Sequence, residues 1–163
     1  MNKGLLVLGA VVIIVLGASA GIYIGQRNQP TLGPEVALLY VASDCRVTEA
    51  RCEASGRTAL VSMVFEGPVT PMATFGIDVG VSGIAPERIS SVRVAFEMQG
   101  MDMGENRYVL RRTSASADAS DWHAQAMLPV CTTGRHDWLA RVSVVAGDEE
   151  YRAEFPFTVS ALR

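Results

Sequence analysis

Three methionines stand close together near the middle of the chain, at the spacing M-x-x-M-x-M. Met98, Met101 and Met103 lie in the segment FEMQGMDMG, which also holds two glycines. The thioether sulfur is a soft, neutral ligand, and together with thiolate it selects Cu(I). Met98 continues an apolar alternation that includes Phe96, which favours packing in the core for this residue and leaves a ligand role as the alternative. Met101 and Met103 follow in a glycine-containing turn that would bury thioethers poorly, so the sequence predicts them as metal ligands.

Cys131 and His123 are the other candidate ligands. Cys131 is the odd thiol if the remaining two cysteines pair with each other, and its thiolate would complete a soft site. His123 is out of phase with the apolar residues of its segment, which predicts an imidazole facing solvent or a ligand. The predicted Cu(I) site therefore has three sulfur ligands and two candidates for an additional one: Met101, Met103 and Cys131, with Met98 or His123.

Two cysteines, Cys45 and Cys52, enclose six residues and form a C-x6-C pair. This spacing excludes the C-x-x-C motif of thioredoxin-type redox proteins. Thiols close in sequence in an exported protein are usually paired, so we predict a structural Cys45–Cys52 disulfide. Pairing of either cysteine with Cys131, or free thiols, are the alternatives.

Charge and motifs exclude several classes of function. Residues 26–163 contain 13 arginines, no lysine and 17 acidic residues, a net charge of −4. An acidic surface repels the phosphate backbone, so we expect no nucleic-acid partner. The sequence has no G-x-S-x-G, P-loop or H-E-x-x-H motif and only two histidines, so it predicts a protein that is not an enzyme.

The first 25 residues contain an uncharged, apolar run of 22, from Gly4 to Gly25. Ala18-Ser19-Ala20 would suit a signal-peptide cleavage site, but the apolar character continues beyond it, which favours a transmembrane anchor. We therefore predict an anchor at 1–25, a polar linker at 26–36 and an exported domain at 37–163. Small residues spaced by four allow close helix–helix contact, and the run has three: Gly17, Gly21 and Gly25.

The rest of the chain is a series of short alternating segments separated by turn residues. Seven such segments begin near residues 58, 73, 89, 107, 121, 138 and 151. Period-two alternation with regular turns predicts an all-β fold, specifically an immunoglobulin-like antiparallel β-sandwich of about seven strands. The stretch 35–54 is ambiguous between a strand and a short helix.

The motif residues resemble those of the FixH/YtkA-like family over residues 58–160. The resemblance depends on three elements: Phe96…Met98…Met101-Asp102-Met103-Gly104, Leu128-Pro129, and Gly134…Trp138 with Val142 and Val144. Family members are small membrane-anchored or exported proteins with an immunoglobulin-like sandwich, linked to copper handling and to assembly of haem–copper cytochrome oxidases. The family's Met-Gly-His element is incomplete here, because Glu105 stands in place of the histidine.

The resemblance implies a protein of the bacterial inner membrane whose domain faces the periplasm. Its implied function is to bind or relay Cu(I) for oxidase assembly, with respiratory oxidase or copper-assembly proteins as partners. The alternative is a non-catalytic accessory module of a membrane respiratory complex that binds no metal.

Overall fold

The computed structural model describes residues 35–98, 106–130 and 136–159, and 67% of these lie in β-strands. The strands are β1 (Glu35–Val41), β2 (Cys52–Gly56), β3 (Ala59–Glu66), β4 (Thr74–Ser82), β5 (Ile89–Glu97), β6 (Arg107–Val109), β7 (Arg111–Ala115), β8 (Ala119–Met127), β9 (Asp137–Ala146) and β10 (Glu149–Thr158). The predicted all-β class is confirmed. The described residues contain ten strands rather than about seven, because the ambiguous stretch forms β1 and β2 and the segment near 107 divides into β6 and β7.

The ten strands form one sheet that almost closes into a barrel. Its order is β6-β5-β9-β10-β1-β2-β3-β4-β8-β7, so β6 and β7, consecutive in the chain, lie at opposite edges. The first strand joins the two halves, because it pairs in parallel with β10 and antiparallel with β2. Near the two edges, the Tyr108 hydroxyl of β6 donates to the Met127 carbonyl of β8 at 2.8 Å. This contact brings the edges together.

The core is filled by the inward-facing residues of the alternating strands. Along β9, the alternate residues Trp138, Ala140, Val142 and Val144 are all buried, as the sequence pattern predicts. A cluster of edge-to-face or tilted aromatic rings links four strands and consists of Phe65, Phe75, Phe96 and Phe157. Each fully buried large apolar side chain contributes about 1.5–3 kcal/mol to the free energy of unfolding, so this cluster ties the two halves of the sheet together.

The barrel has two distinct ends. At one end, here called the loop end, β3, β5 and β8 finish and β4 and β9 begin. The strand residues at this end are Glu66, Thr74, Glu97, Met127 and Asp137. The first described residue, Glu35, lies at the opposite end, where its N–H donates to the Asp148 carbonyl at 3.0 Å. The longer connections between strands lie at the loop end, and the connections at the opposite end are shorter.

A disulfide joins Cys45 to Cys52 and confirms the predicted pair. It holds the loop between β1 and β2, and the side chain of Val47 in this loop is fully buried. The Phe65 N–H donates to the Val47 carbonyl at 3.3 Å, so the loop is bonded to β3. Because Cys45 and Cys52 bond to each other, neither pairs with Cys131.

Of the predictions for the N-terminal part of the chain, the structure bears only on where the domain begins. The compact unit that contains the barrel begins at Pro34, and β1 begins at Glu35, two residues before the predicted start of the domain at residue 37. The predicted anchor at 1–25, with Gly17, Gly21 and Gly25, lies outside the described residues. Among the described residues, none of the helical structure is long and apolar enough to span a membrane.

Candidate functional site

Three of the predicted copper ligands, Met101, Met103 and Cys131, lie outside the described residues. The residues that flank their segments do have defined positions. The backbone carbonyl of Asn106 accepts a hydrogen bond from the Phe96 N–H at 2.9 Å. The backbone carbonyl of His136 accepts a hydrogen bond from the Val159 N–H at 3.0 Å. Both segments therefore leave and rejoin the barrel at the loop end.

Met98 directly follows β5 and is 3% exposed. Its side chain continues the buried row of Val92, Val94 and Phe96, which is the position expected for a packing residue. A thioether buried this fully contributes to the core at the base of the segment that carries Met101 and Met103.

Two methionines that are not among the predicted ligands are exposed at the loop end. Met72 is 63% exposed and Met127 is 41% exposed. They are close in the fold, because the Met72 N–H donates to the Leu128 carbonyl at 2.9 Å. The sequence did indicate that Met127 is exposed, because it lies out of phase with its buried neighbours Ala126 and Leu128. Soft sulfur is thus present on the surface of the loop end.

His123 faces outward from β8, as its phase predicts, and its nearest polar groups among the described residues belong to Asp78, Glu66 and Gln125. Its Nδ1 is 2.8 Å from Oδ1 of Asp78 and 4.0 Å from Oε2 of Glu66. Its Nε2 lies 3.2 Å from Nε2 of the Gln125 side chain. The structure therefore places His123 in a carboxylate cluster on the outer face of β3, β4 and β8.

Strand register assembles this cluster. Asp78 of β4 pairs with His123 of β8, and Glu66 of β3 pairs with Gly76 of β4. A Cβ at Gly76 would lie 2.6 Å from Oε2 of Glu66 and 3.2 Å from Cε1 of His123. Because Gly76 has no side chain, Glu66 can lie across β4 and reach the other two groups.

The pKa of Glu66 is affected more by Asp78 than by His123. A hydrogen bond with Asp78 raises the pKa of Glu66 above its ordinary value of 4.5, and the charge of Asp78 and partial burial add to this effect. The nearby His123 acts in the opposite sense but does not cancel it. Two carboxylates in contact favour retention of a proton between them, or a cation that takes its place.

Comparisons of the chain with protein-family models, with curated proteins and with solved structures find no match.

Proposed function

We propose that this chain is a non-enzymatic, membrane-anchored protein of the bacterial inner membrane that binds or relays Cu(I) in the periplasm for assembly of haem–copper oxidases. In this proposal it is a FixH/YtkA-like protein, its β-domain is an immunoglobulin-like sandwich, and the copper ligands are at the loop end. The observation that carries the proposal is the pair of exposed thioethers, Met72 and Met127, at the end where the segments with Met101, Met103 and Cys131 are attached.

Exposed thioethers at this position support a soft metal site. Methionine is apolar and usually fills gaps in a core, as Met63 and Met98 do here. Met72 and Met127 instead leave large parts of their side chains exposed at the loop end, where the two segments with the other three predicted sulfur ligands are attached. Several thioethers and one thiolate make a donor set that favours Cu(I) over harder cations.

The Cys45–Cys52 disulfide supports the proposed compartment. Disulfides persist in oxidising environments such as the bacterial periplasm and are rare in the cytosol. The apolar run at 4–25 would supply the membrane anchor, in line with its length.

The test is the affinity of the full-length protein for Cu(I), measured under reducing conditions by competition with a chromophoric chelator. Replacing Met101 and Met103 together by leucine removes two sulfurs at nearly constant volume, so the fold should survive. We expect the affinity to fall at least tenfold. The matched control is Met63→Leu, which makes the same chemical change in the core and should leave Cu(I) binding unchanged. Equal affinity of the double variant and the parent would contradict a thioether site.

A specific observation favours the alternative, an accessory module without metal. The outward residues of β1 form an exposed apolar row of Val36, Leu38 and Tyr40, which are 42%, 60% and 77% exposed. Exposed apolar patches mark interaction sites in many proteins. If the double methionine variant supports oxidase assembly as well as the parent does, while Leu38→Ser with Tyr40→Ser does not, the accessory function replaces copper relay.

A further inference from the structure

We propose that Glu66, Asp78 and His123 form a separate binding site for a borderline divalent cation, with Zn²⁺ as its probe. The site uses the outer face of β3, β4 and β8 and none of the sulfur residues at the loop end. It is therefore independent of the proposed Cu(I) function, and it assigns His123 to carboxylate partners rather than to the methionines.

The distances between the three groups suit coordination of one ion. One potential ligand atom from each residue lies within 4.8 Å of the other two. Ligands bound tetrahedrally to Zn²⁺ at 2.0–2.1 Å are separated from one another by about 3.4 Å. The Nδ1–Oδ1 and Nδ1–Oε2 distances, 2.8 Å and 4.0 Å, lie on either side of this value. Small rotations of the carboxylates are enough to admit the ion.

The scaffold holds the ligands in place. Asp78 and His123 are directly paired in the central part of two long strands, and Glu66 ends a third. Sites on strands are positioned more accurately than sites on loops. Gly76 contributes by leaving the space through which Glu66 reaches the site.

Gln125 provides a means of orienting the imidazole. Its side-chain amide lies 3.2 Å from Nε2 of His123, on the side of the ring away from Asp78. A rotation of the amide presents its oxygen to an Nε2–H, which fixes the tautomer with Nδ1 free to coordinate a metal. Metal-bound histidines commonly donate their other ring N–H to an oxygen in this way.

The chemistry of the donor set defines the class of cation. Imidazole together with carboxylates suits Zn²⁺ and Cu²⁺, whereas Cu(I) prefers sulfur. A divalent ion between Glu66 and Asp78 would offset the repulsion between their two carboxylates. Three protein ligands on a partly exposed surface leave at least one coordination position for water or a small anion.

The experiment is calorimetric titration of the full-length protein with Zn²⁺ at neutral pH without reductant. We expect a specific Zn²⁺ site whose affinity falls at least tenfold in His123→Asn and in Asp78→Asn. Gln125→Ala should weaken it by about tenfold, as expected for a residue that orients a ligand. Circular dichroism and urea unfolding of each variant verify the fold.

Two matched controls separate this site from others. His136→Asn changes the second histidine, at the loop end, and Asp121→Asn removes a carboxylate two residues before His123; both should leave Zn²⁺ affinity unchanged. The Met101→Leu, Met103→Leu double variant should also bind Zn²⁺ normally, whatever its affinity for Cu(I). Absence of Zn²⁺ binding by the parent would overturn the proposal, as would undiminished binding by folded His123→Asn, or loss of binding in His136→Asn.

Discussion

The carboxylate face, which carries Glu66, Asp78 and His123 on β3, β4 and β8, differs from the arginine face on the other half of the sheet. The arginine face consists of outward residues of β5, β6, β9 and β10: Arg93, Arg107, Arg141 and Arg152 with Glu97, Glu150 and Glu154. Both faces bring charged groups from several strands together. They differ in whether those groups neutralise one another.

On the arginine face, each of the three glutamates has an arginine partner. Arg141 bonds both Glu97, at 2.7 Å, and Glu154, at 2.9 Å. Arg152 bonds Glu150 at 2.9 Å. Burial by itself raises the pKa of Glu150, but hydrogen bonds from Arg152 and Ser143 and the charges of Arg152 and Arg93 outweigh burial and lower the pKa.

On the carboxylate face, the main partner of Glu66 is another carboxyl group, and its pKa is raised instead. The glutamates of the arginine face therefore lie beside arginines, whereas Glu66 and Asp78 of the carboxylate face lie beside each other. The arginine face is stabilised by its own ion pairs, whereas the carboxylate face would be stabilised by an added cation.

The largest expected effect follows from blocking the space that Glu66 occupies. In Gly76→Val, the new side chain meets the Glu66 carboxylate and displaces it from the cluster, while valine itself suits a strand. We expect Zn²⁺ affinity to fall by at least about tenfold, the loss typical of a misplaced metal ligand. The matched control is Ala95→Val on the arginine face, and calorimetry should show no change for it. Equal Zn²⁺ affinity of Gly76→Val and the parent would show that Glu66 is not a ligand.

A smaller effect is expected from breaking the ion pairs of the arginine face. Arg141→Gln leaves Glu97 and Glu154 without their arginine, and the three side chains are 30%, 41% and 47% exposed. Exposed pairs contribute about 0.2–1 kcal/mol each, so we expect a loss of about 1 kcal/mol in low salt that shrinks in high salt. Urea unfolding at two salt concentrations measures it. Glu66→Gln, on the other face, should cause no such salt-dependent loss.

The two faces should also respond to pH in opposite directions. A lowered pKa at Glu150 means that the unfolded chain binds more protons there, so its contribution to stability is lost as pH falls below 4.5. A raised pKa at Glu66 means that the folded protein binds more protons, so stability is lost as pH rises above 4.5. Urea unfolding of Glu150→Gln and Glu66→Gln across this range, in the absence of metal, should give differences from the parent with opposite slopes. Slopes of the same sign would contradict the comparison.

The smallest effect is expected at Arg107. Within the described residues, the side chain of Arg107 is exposed and forms no hydrogen bond or ion pair, although it borders the same groove as Arg141. Arg107→Gln should therefore change the free energy of unfolding by less than about 0.5 kcal/mol, as is usual for unpaired surface residues. A loss equal to that of Arg141→Gln in the same urea experiment would mean that net charge, not pairing, stabilises this face.

Strands that alternate apolar inward residues with polar outward residues were predictable from the sequence. Strand β1 was not. In β9 the alternation of Trp138, Ala140, Val142 and Val144 corresponds directly to the buried side. In β1 the outward residues Val36, Leu38 and Tyr40 are as apolar as the inward ones, so no alternation is visible. Strand β1 pairs in parallel with β10, which is the last strand in the sequence. A local sequence pattern does not reveal a contact between residues so far apart in the chain.

The carboxylate cluster was only partly predictable for a related reason. The phase of His123 indicated an outward, ligand-accessible imidazole, and the structure confirms the outward orientation. Its partner Asp78 is 45 residues away in the chain, and the contact depends on the register between β4 and β8. A one-residue shift in that register would move His123 away from Asp78, and sequence alone does not fix it.

The position of β6 and β7 has a consequence for aggregation. An unpaired strand at the edge of a sheet exposes N–H and C=O groups that can recruit the edge of another molecule. Here one edge, β6, is three residues long, and the other, β7, has a bulge between Arg112 and Ser114 and only exposed side chains. Buried Leu110 joins the two strands and anchors both edges to the core. Short, irregular, arginine-bearing edges of this kind disfavour strand addition, so the domain should resist edge-to-edge assembly even at high concentration.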